Sequence, residues 1–246
     1  MIKRIDIIMA EKGFAKSRTA AQELIYAGSV AVNGQVVARP SEMYDDESTN
    51  LEICDSSHLT KYVGRGGLKL ETAIEEFGID LTGAVCLDVG ASTGGFTDCM
   101  LQYGAARVYA VDVGKSQLSA KLRRDERVIS IEELDIRKAN ENDIPEPVSF
   151  IAADVSFISL KLILPELIRF ADRDAVCVTL IKPQFEIGKA FIGKSGVVKD
   201  PKLRERTVSD ICSFAAGLGL EDIRTVRSKI TGGDGNVEYL MHCIIK

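Results

Sequence analysis

The stretch "CLDVGASTGGFTD", residues 86–98, places Asp88 and Val89 at the end of an apolar run, glycines at 90, 94 and 95, and a helix start near Phe96. Glycines permit a tight turn and a close backbone approach by a ligand. A dinucleotide fingerprint needs G-x-G-x-x-G, whereas the spacing here is G-x-x-x-G-G, with Ser92 where the second glycine would stand. The next apolar run, "VYAVDVG", ends in Asp112, and an acid at the end of a second strand accepts both ribose hydroxyls of a bound nucleoside. Loop and acid together suit either NAD or S-adenosylmethionine. The loop form favours the latter, because a sulfonium cofactor has no pyrophosphate in need of a helix N-terminus and its methionine carboxylate and amine can be met by the glycine turn.

Four further polar residues stand where chemistry could use them. Lys182 directly follows the apolar run "AVCVTLI" and precedes Pro183, a poor setting for a free surface lysine. Asp154 closes "FIAAD", and Glu238 alternates with Tyr239 in the last strand-like run. Asp154 and Lys182 thus end two successive predicted strands, at the carboxyl edge where open α/β sheets place their ligands. Lys69 lies in "RGGLKLETAIEEFG", an amphipathic helix with Leu68, Leu70, Ala73, Ile74 and Phe77 apolar and Gly78 as the stop. A helical lysine ordinarily snorkels to water along its own stem, so only its neighbours in space decide its role.

The elements that must position these residues alternate. The strand-like runs "AVCLDVG", "RVYAVDVG", "RVISIEEL", "VSFIAADVSF" and "AVCVTLIKP" are separated by helical stretches, the pattern of an α/β fold with a mostly parallel sheet covered on both faces. Two final runs in "LEDIRTVRSKITGGDGNVEYLMHCIIK" are joined by a Gly-rich turn without a helix, so they should be antiparallel. Ahead of this region, Ile5, Ile8 and Met9 recur at helical spacing up to Gly13. Ser17 is placed to cap a second helix carrying Ala20, Ala21, Leu24 and Ile25 and ending at Gly28. Val30 and Val32 lead through Asn33-Gly34 to Val36, a β-hairpin signal. A polar, acidic stretch with a short "NLEIC" strand follows. This grammar divides the chain into a small α+β domain over residues 1–58, a linker at 59–63 and a larger domain over 64–246.

At 246 residues with 46% hydrophobic composition the chain can bury a real core. No apolar run reaches the ~18–20 residues of a membrane helix, and no signal peptide is evident, so a soluble cytoplasmic protein is expected. Six dispersed cysteines without a C-x-x-C pair suggest free thiols and no metal site. The net charge of −5 argues against a wholly basic nucleic-acid binder. Its distribution is uneven: six bases against three acids in residues 1–40, then six acids and no lysine or arginine in residues 41–60.

Two resemblances sharpen the reading. The order K-R-x-D, G-F-A-K-S-R, A-A-Q-E-L-I and G-S-V-x-V-N-G resembles the RNA-binding domain named after the fourth protein of the small ribosomal subunit. That resemblance implies that the second helix, through Lys16 and Arg18, lies on RNA phosphates. "DVGASTGGFTD", "ADVSFISL" and "IKPQFE" following such a module closely resemble the TlyA-type ribosomal RNA methyltransferases, over essentially the whole chain. The implied fold is the FtsJ-type, Rossmann-like class I methyltransferase sheet, and the implied activity is S-adenosylmethionine-dependent methylation of cytidine 2′-hydroxyls in ribosomal RNA. It further implies a Lys-Asp-Lys-Glu tetrad, here Lys69, Asp154, Lys182 and Glu238, and a cofactor site over Asp88, Gly90, Ser92, Gly94, Gly95, Phe96 and Asp112. Asp135 in "LDIR" follows the third strand, where class I methyltransferases contact the adenine amine.

A ribose hydroxyl is a poor nucleophile until its proton is removed. A lysine can remove it if its own pKa is lowered by partial burial and a second cation; Lys182 is the expected base, with Lys69 as that cation. No metal is required. The glycine-containing basic stretch 186–206, with Lys189 and Lys194, reads as an RNA-contacting loop, and Arg65 as a further phosphate contact. With no tryptophan, aromatic stacking platforms are expected to be scarce. The expected partner is ribosomal RNA or a ribosomal subunit, bound by a monomer or weak dimer. Rival readings are an RNA-binding protein with an inactive methyltransferase domain, a membrane-active protein (relatives carry haemolysin labels), and an NAD-dependent dehydrogenase.

Overall fold

The computed structural model describes residues 1–246 except 27–28, 38, 54–60, 189–195 and 233–234. The chain divides into two compact units, Met1–Arg65 and Gly66–Lys246. Of the linker expected at 59–63, residues 59–60 lie outside the described residues, as does Gly28, and the compact units divide after Arg65.

The smaller unit runs β1 (Ile2–Arg4), α1 (Ile5–Glu11), α2 (Arg18–Tyr26), β2 (Val30–Val32), β3 (Gln35–Val36), β4 (Met43–Asp45) and β5 (Leu51–Ile53). Ile5, Ile8 and Met9 are fully buried and meet Ala21, Ile25, Val30, Val32, Val37 and Leu51 in one core. Ser17 Oγ accepts the Ala20 N–H at 3.1 Å, the expected cap. Asn33 and Gly34 both have positive φ, 52° and 77°, as a tight hairpin turn between right-twisted strands demands. β2 pairs with both β3 and β5. The β1–β4 ribbon carries no apolar alternation and was not legible as strand; ion pairs from the N-terminal amine to Asp45 (2.6 Å) and from Lys3 to Asp46 (3.0 Å) accompany its pairing.

The larger unit contains α3 (Gly66–Phe77), β6 (Val85–Val89), α4 (Gly95–Gln102), β7 (Arg107–Val111), α5 (Ala120–Arg123), β8 (Val128–Ile131), β9 (Val148–Ala153), α6 (Leu164–Ile168), β10 (Ala171–Ile181), α7 (Pro183–Glu186), α8 (Pro201–Gly217), β11 (Glu221–Arg227) and β12 (Tyr239–Ile245). Its seven strands lie in the order β11-β12-β10-β9-β6-β7-β8. All pairings are parallel except those of β12, which runs antiparallel to β10 and β11. The stretch expected as a loop over 186–206 is helical from Pro201, where Asp200 caps α8 by accepting the Lys202 N–H.

Strand order reverses between β6 and β9, and a crevice opens at that point beyond the carboxyl ends. Register decides what faces it. Val89 pairs with both Val111 and Ala153, so the next residues, Gly90, Asp112 and Asp154, emerge level with one another. Ile181 pairs with Tyr239 in the antiparallel ladder, so Lys182 and Glu238 leave the same edge side by side. The two strands approach closely here: the Asp154 N–H donates to Val89 O at 2.9 Å. A Cβ on Gly90, whose φ is +83°, would lie 2.4 Å from the Asp154 carbonyl oxygen.

Gly90→Ala should therefore destabilise the protein by ~2 kcal/mol or more, since it combines a positive φ with a clash against backbone that cannot swing aside. Denaturant unfolding reads this directly, and a variant as stable as the parent would show that the crevice walls are not held at the separation described.

Candidate active site

The four tetrad residues come together. Lys182 Nζ lies 2.5 Å from Asp154 Oδ1, Lys69 Nζ lies 3.7 Å from Asp154 Oδ2, and Lys69 Nζ lies 2.7 Å from Glu238 Oε2. The order in space is Lys182–Asp154–Lys69–Glu238, with charges alternating. Three members come from the sheet edge, and Lys69 comes from α3, which packs against α4 and β12. Its side chain is 11% exposed, so this lysine does not snorkel. Burial acts to raise the Asp154 pKa, but the two ammonium groups outweigh it and hold the carboxyl below its ordinary value. Lys69 meets both Asp154 and Glu238, so its charge is balanced inside the cluster.

A cavity of about 830 Å³ opens beside this cluster, lined in part by Gly90, Ser92, Asp112, Asp135 and Asp154. Ser92 has φ 49°, so it adopts the left-handed conformation for which glycine is usual. Asp112 accepts the Ser92 N–H through Oδ2 (2.8 Å) and the Gly114 N–H through Oδ1 (2.7 Å), which fixes its carboxylate against the glycine loop. Asp135 begins a 3-10 turn and is held by Arg137, whose Nη2 donates to Oδ2 at 2.5 Å and whose backbone N–H donates to Oδ1 at 3.0 Å. Asp154 is the residue common to the cavity wall and the charged cluster.

Other expected cofactor residues do not line the cavity. Gly94, at φ +95°, takes a conformation in which a Cβ would strike Leu122 at 2.2 Å and Leu118 at 2.8 Å. Gly94 is thus demanded by chain packing. Gly95 and Phe96 are buried in the first turn of α4. Asp88 is fully buried; Thr97 Oγ1 donates to its Oδ2 at 2.6 Å while Oδ1 has no hydrogen-bond partner among the described residues. Burial is the main reason its pKa is raised to about 7, with the Asp154 and Asp112 charges adding to it against the Thr97 bond.

Several site residues had no sequence signal. Lys182 Nζ also donates to Ser156 Oγ at 2.7 Å. Gly232 backs Glu238 so closely that a Cβ there would lie 2.5 Å from Glu238 Oε1. Aromatic platforms are not absent: Phe157 is 90% exposed and its ring centroid lies 4.9 Å from that of Phe185, itself near Lys182 Nζ. In the smaller unit Lys16 is exposed, and Arg18 is tied at 3.3 Å to Asp6, a buried acid that Arg4 and Gln22 also hold. Those bonds overcome burial and bring the Asp6 pKa down to about 2. Arg65 is half-buried ahead of α3; Lys189 and Lys194 lie outside the described residues.

Asp88 makes stability depend on pH. Its folded pKa of about 7 stands above the ordinary 3.8, so its contribution is fully present below that ordinary value and is lost as pH rises through 7. The loss should be on the order of 2–4 kcal/mol. Asp88→Asn should remove this dependence, so that the variant gains on the parent protein between pH 5 and pH 8 in unfolding free energy. Parallel pH profiles for the two proteins would show that Asp88 is ionised in the fold.

Known proteins resemble the chain in both of its units. Residues 62–243 match the FtsJ-like methyltransferase family and residues 3–49 match the S4 domain. The chain is 42% identical over 243 residues to Hemolysin A of Brachyspira hyodysenteriae, covering 98% of this chain and 100% of that one. It is 43% identical over 238 residues to the 16S/23S rRNA (cytidine-2′-O)-methyltransferase TlyA of Mycobacterium tuberculosis, covering 97% and 88%. A solved structure of a hemolysin-labelled protein from Streptococcus thermophilus superimposes with a TM-score of 0.77 at 41% identity, covering 100% of this chain and 89% of that one. With an S4 domain ahead of a methyltransferase sheet and this degree of identity along nearly its full length, the chain belongs to the FtsJ-like methyltransferases of TlyA type.

Proposed function

We propose that the protein transfers the methyl group of S-adenosylmethionine to the 2′-hydroxyl of cytidines in ribosomal RNA, with Lys182 as the base. The observation that carries this reading is the position of Asp154, on the wall of the glycine-loop cavity and in contact with Lys182 at once. The residues fit the cofactor: a fixed Asp112 carboxylate retains lone pairs for ribose hydroxyls, and Asp135 stands along the same wall for the adenine amine. When bound, S-adenosylmethionine supplies an electrophilic methyl group.

The chain's own residues do the rest. Lys182, paired with Asp154 and donating to Ser156, acts as the base once its ammonium has given up a proton to solvent, and its lone pair then takes the proton of the ribose hydroxyl. Once protonated, the new ammonium is stabilised by Asp154 in a site with little solvent access. Lys69 holds Asp154 and Glu238 in place, so the carboxylate does not turn away when the proton arrives. Lys16, Arg18, Arg65, Lys189 and Lys194 would contact phosphates, which position RNA without reading its sequence. The relatives' names supply the choice of cytidine and of ribosomal RNA, and the S4 domain fits a ribosomal substrate in the cytoplasm.

Lys182→Ala should leave a folded protein of lower Tm with cofactor affinity close to that of the parent, while methyl transfer to ribosomal RNA falls ~10²-fold or more. Lys182→Arg should not rescue it, because guanidinium stays protonated. Full activity in either variant would remove Lys182 as the base. Asp112→Ala should weaken S-adenosylmethionine binding by roughly 1.5–3 kcal/mol, the scale of a hydrogen bond to a charged group. Isothermal titration checks this, and an unchanged Kd would take Asp112 out of the site.

A further inference from the structure

Glu186 takes no part in the chemistry above, yet it joins the two segments that carry it. Its Oε2 accepts the Ser159 hydroxyl at 2.5 Å and its Oε1 accepts the Leu160 N–H at 2.8 Å. Ser159 Oγ in turn accepts the Lys161 N–H at 3.2 Å and caps the 3-10 turn Leu160–Leu162. Glu186 is the last residue of α7, which begins immediately after Lys182. The segment 154–160 is therefore fastened to the segment 182–186 at both ends. Lys182 holds Asp154 and Ser156 at one end, Glu186 holds Ser159 and Leu160 at the other, and the Phe157–Phe185 ring contact lies between.

The loop needs such a fastening. Phe157 has φ 63°, a left-handed conformation unfavourable for a bulky side chain, and residues so strained persist only where their surroundings over-determine them. Phe157 is itself 90% exposed, so burial of its ring does not hold it. Glu186 has no ion-pair partner among the described residues and accepts two donors from this one loop. Burial raises its pKa, and hydrogen bonding to the loop counters that in part.

We infer that Glu186 is a positioning residue for methyl transfer: by clamping the 154–160 loop onto the Lys182 turn, it holds Asp154 and Ser156 where they orient the Lys182 amine. The inference rests on the proposed role of Lys182. Misplacing a reacting group by about 1 Å costs on the order of 10²-fold in rate, so a loosened clamp should be visible in kcat before it is visible in stability.

The test uses the full chain, with Glu186→Ala and Glu186→Gln. Gln keeps both contacts, because its amide oxygen accepts from Leu160 and its amide nitrogen donates to the Ser159 oxygen. Glu186→Ala should lower kcat for ribosomal RNA methylation by ~10-fold or more with KM for RNA little changed, and Glu186→Gln should restore it to within about threefold. Amide hydrogen exchange at residues 156–162 should accelerate in Glu186→Ala and not in Glu186→Gln, a readout that needs no substrate. Unaltered exchange and kcat in Glu186→Ala would overturn the inference, as would a Gln variant as impaired as Ala. If Glu186→Ala does not fold, Glu186→Asp takes its place, since its shorter side chain cannot reach both donors; normal kcat and exchange there would equally overturn the clamp. A parent protein inactive on ribosomal RNA would instead count against the proposed function, while the exchange comparison would still decide whether Glu186 holds the loop.

Discussion

Asp154 sits beside two ammonium groups with a side chain only 19% exposed, and much of the larger unit is organised around keeping that placement tolerable. A carboxylate largely removed from water loses several kcal/mol of solvation unless opposite charges replace it. Two lysines replace it here, and each would be costly alone. Lys69 is balanced further by Glu238, which is 3% exposed. Removing any one member would strand a charge at the sheet edge. The alternation of charge thus constrains four residues drawn from α3 and three strand ends, and the sheet register that brings those strand ends level becomes a condition of electrostatic stability.

The same edge explains how one small region serves two tasks. Reversal of strand order between β6 and β9 opens the crevice, and Asp154 belongs to both its wall and the charged cluster. On the proposed reading, a methyl acceptor activated by Lys182 would lie within side-chain reach of a ligand along Asp112 and Asp135. Lys182 and the cavity wall stand near each other because β9 and β10 are adjacent strands of one sheet.

What the sequence disclosed follows from the range of the forces involved. Strands β6, β7, β9 and β10 are apolar runs whose period and length are local properties, and so is the Asn33-Gly34 turn with its two positive φ values. Asp112, Asp154 and Lys182 were readable because each immediately follows such a run. Lys69 was ambiguous, since an amphipathic helix looks the same whether its lysine meets water or two carboxylates 85 and 169 residues further along the chain. Ser156 and Glu186 lay inside quoted motifs, yet their roles, like that of Gly232, were not legible because they rest on contacts across the fold, which leave no periodic trace. The β1–β4 ribbon escaped for the opposite reason: three residues a side, none of them buried, give no hydrophobic alternation to read.

The glycine loop shows that a motif can be required for a different reason than the one that suggests it. Glycines 90 and 94 were read as making room for a ligand, yet the atoms that crowd them belong to the chain itself: the Asp154 carbonyl at Gly90, and Leu118 and Leu122 at Gly94. Close approach of β6 to β9 sets the crevice width, and docking of the loop over α5 sets its height. Ser92, on the open side of the loop, is not crowded in this way and tolerates a side chain at φ 49°. It lends its N–H to Asp112. On the proposed reading the loop would act on a ligand mainly at second hand, by aiming a carboxylate and spacing two strands, and the residue types it requires are those that let protein pack on protein.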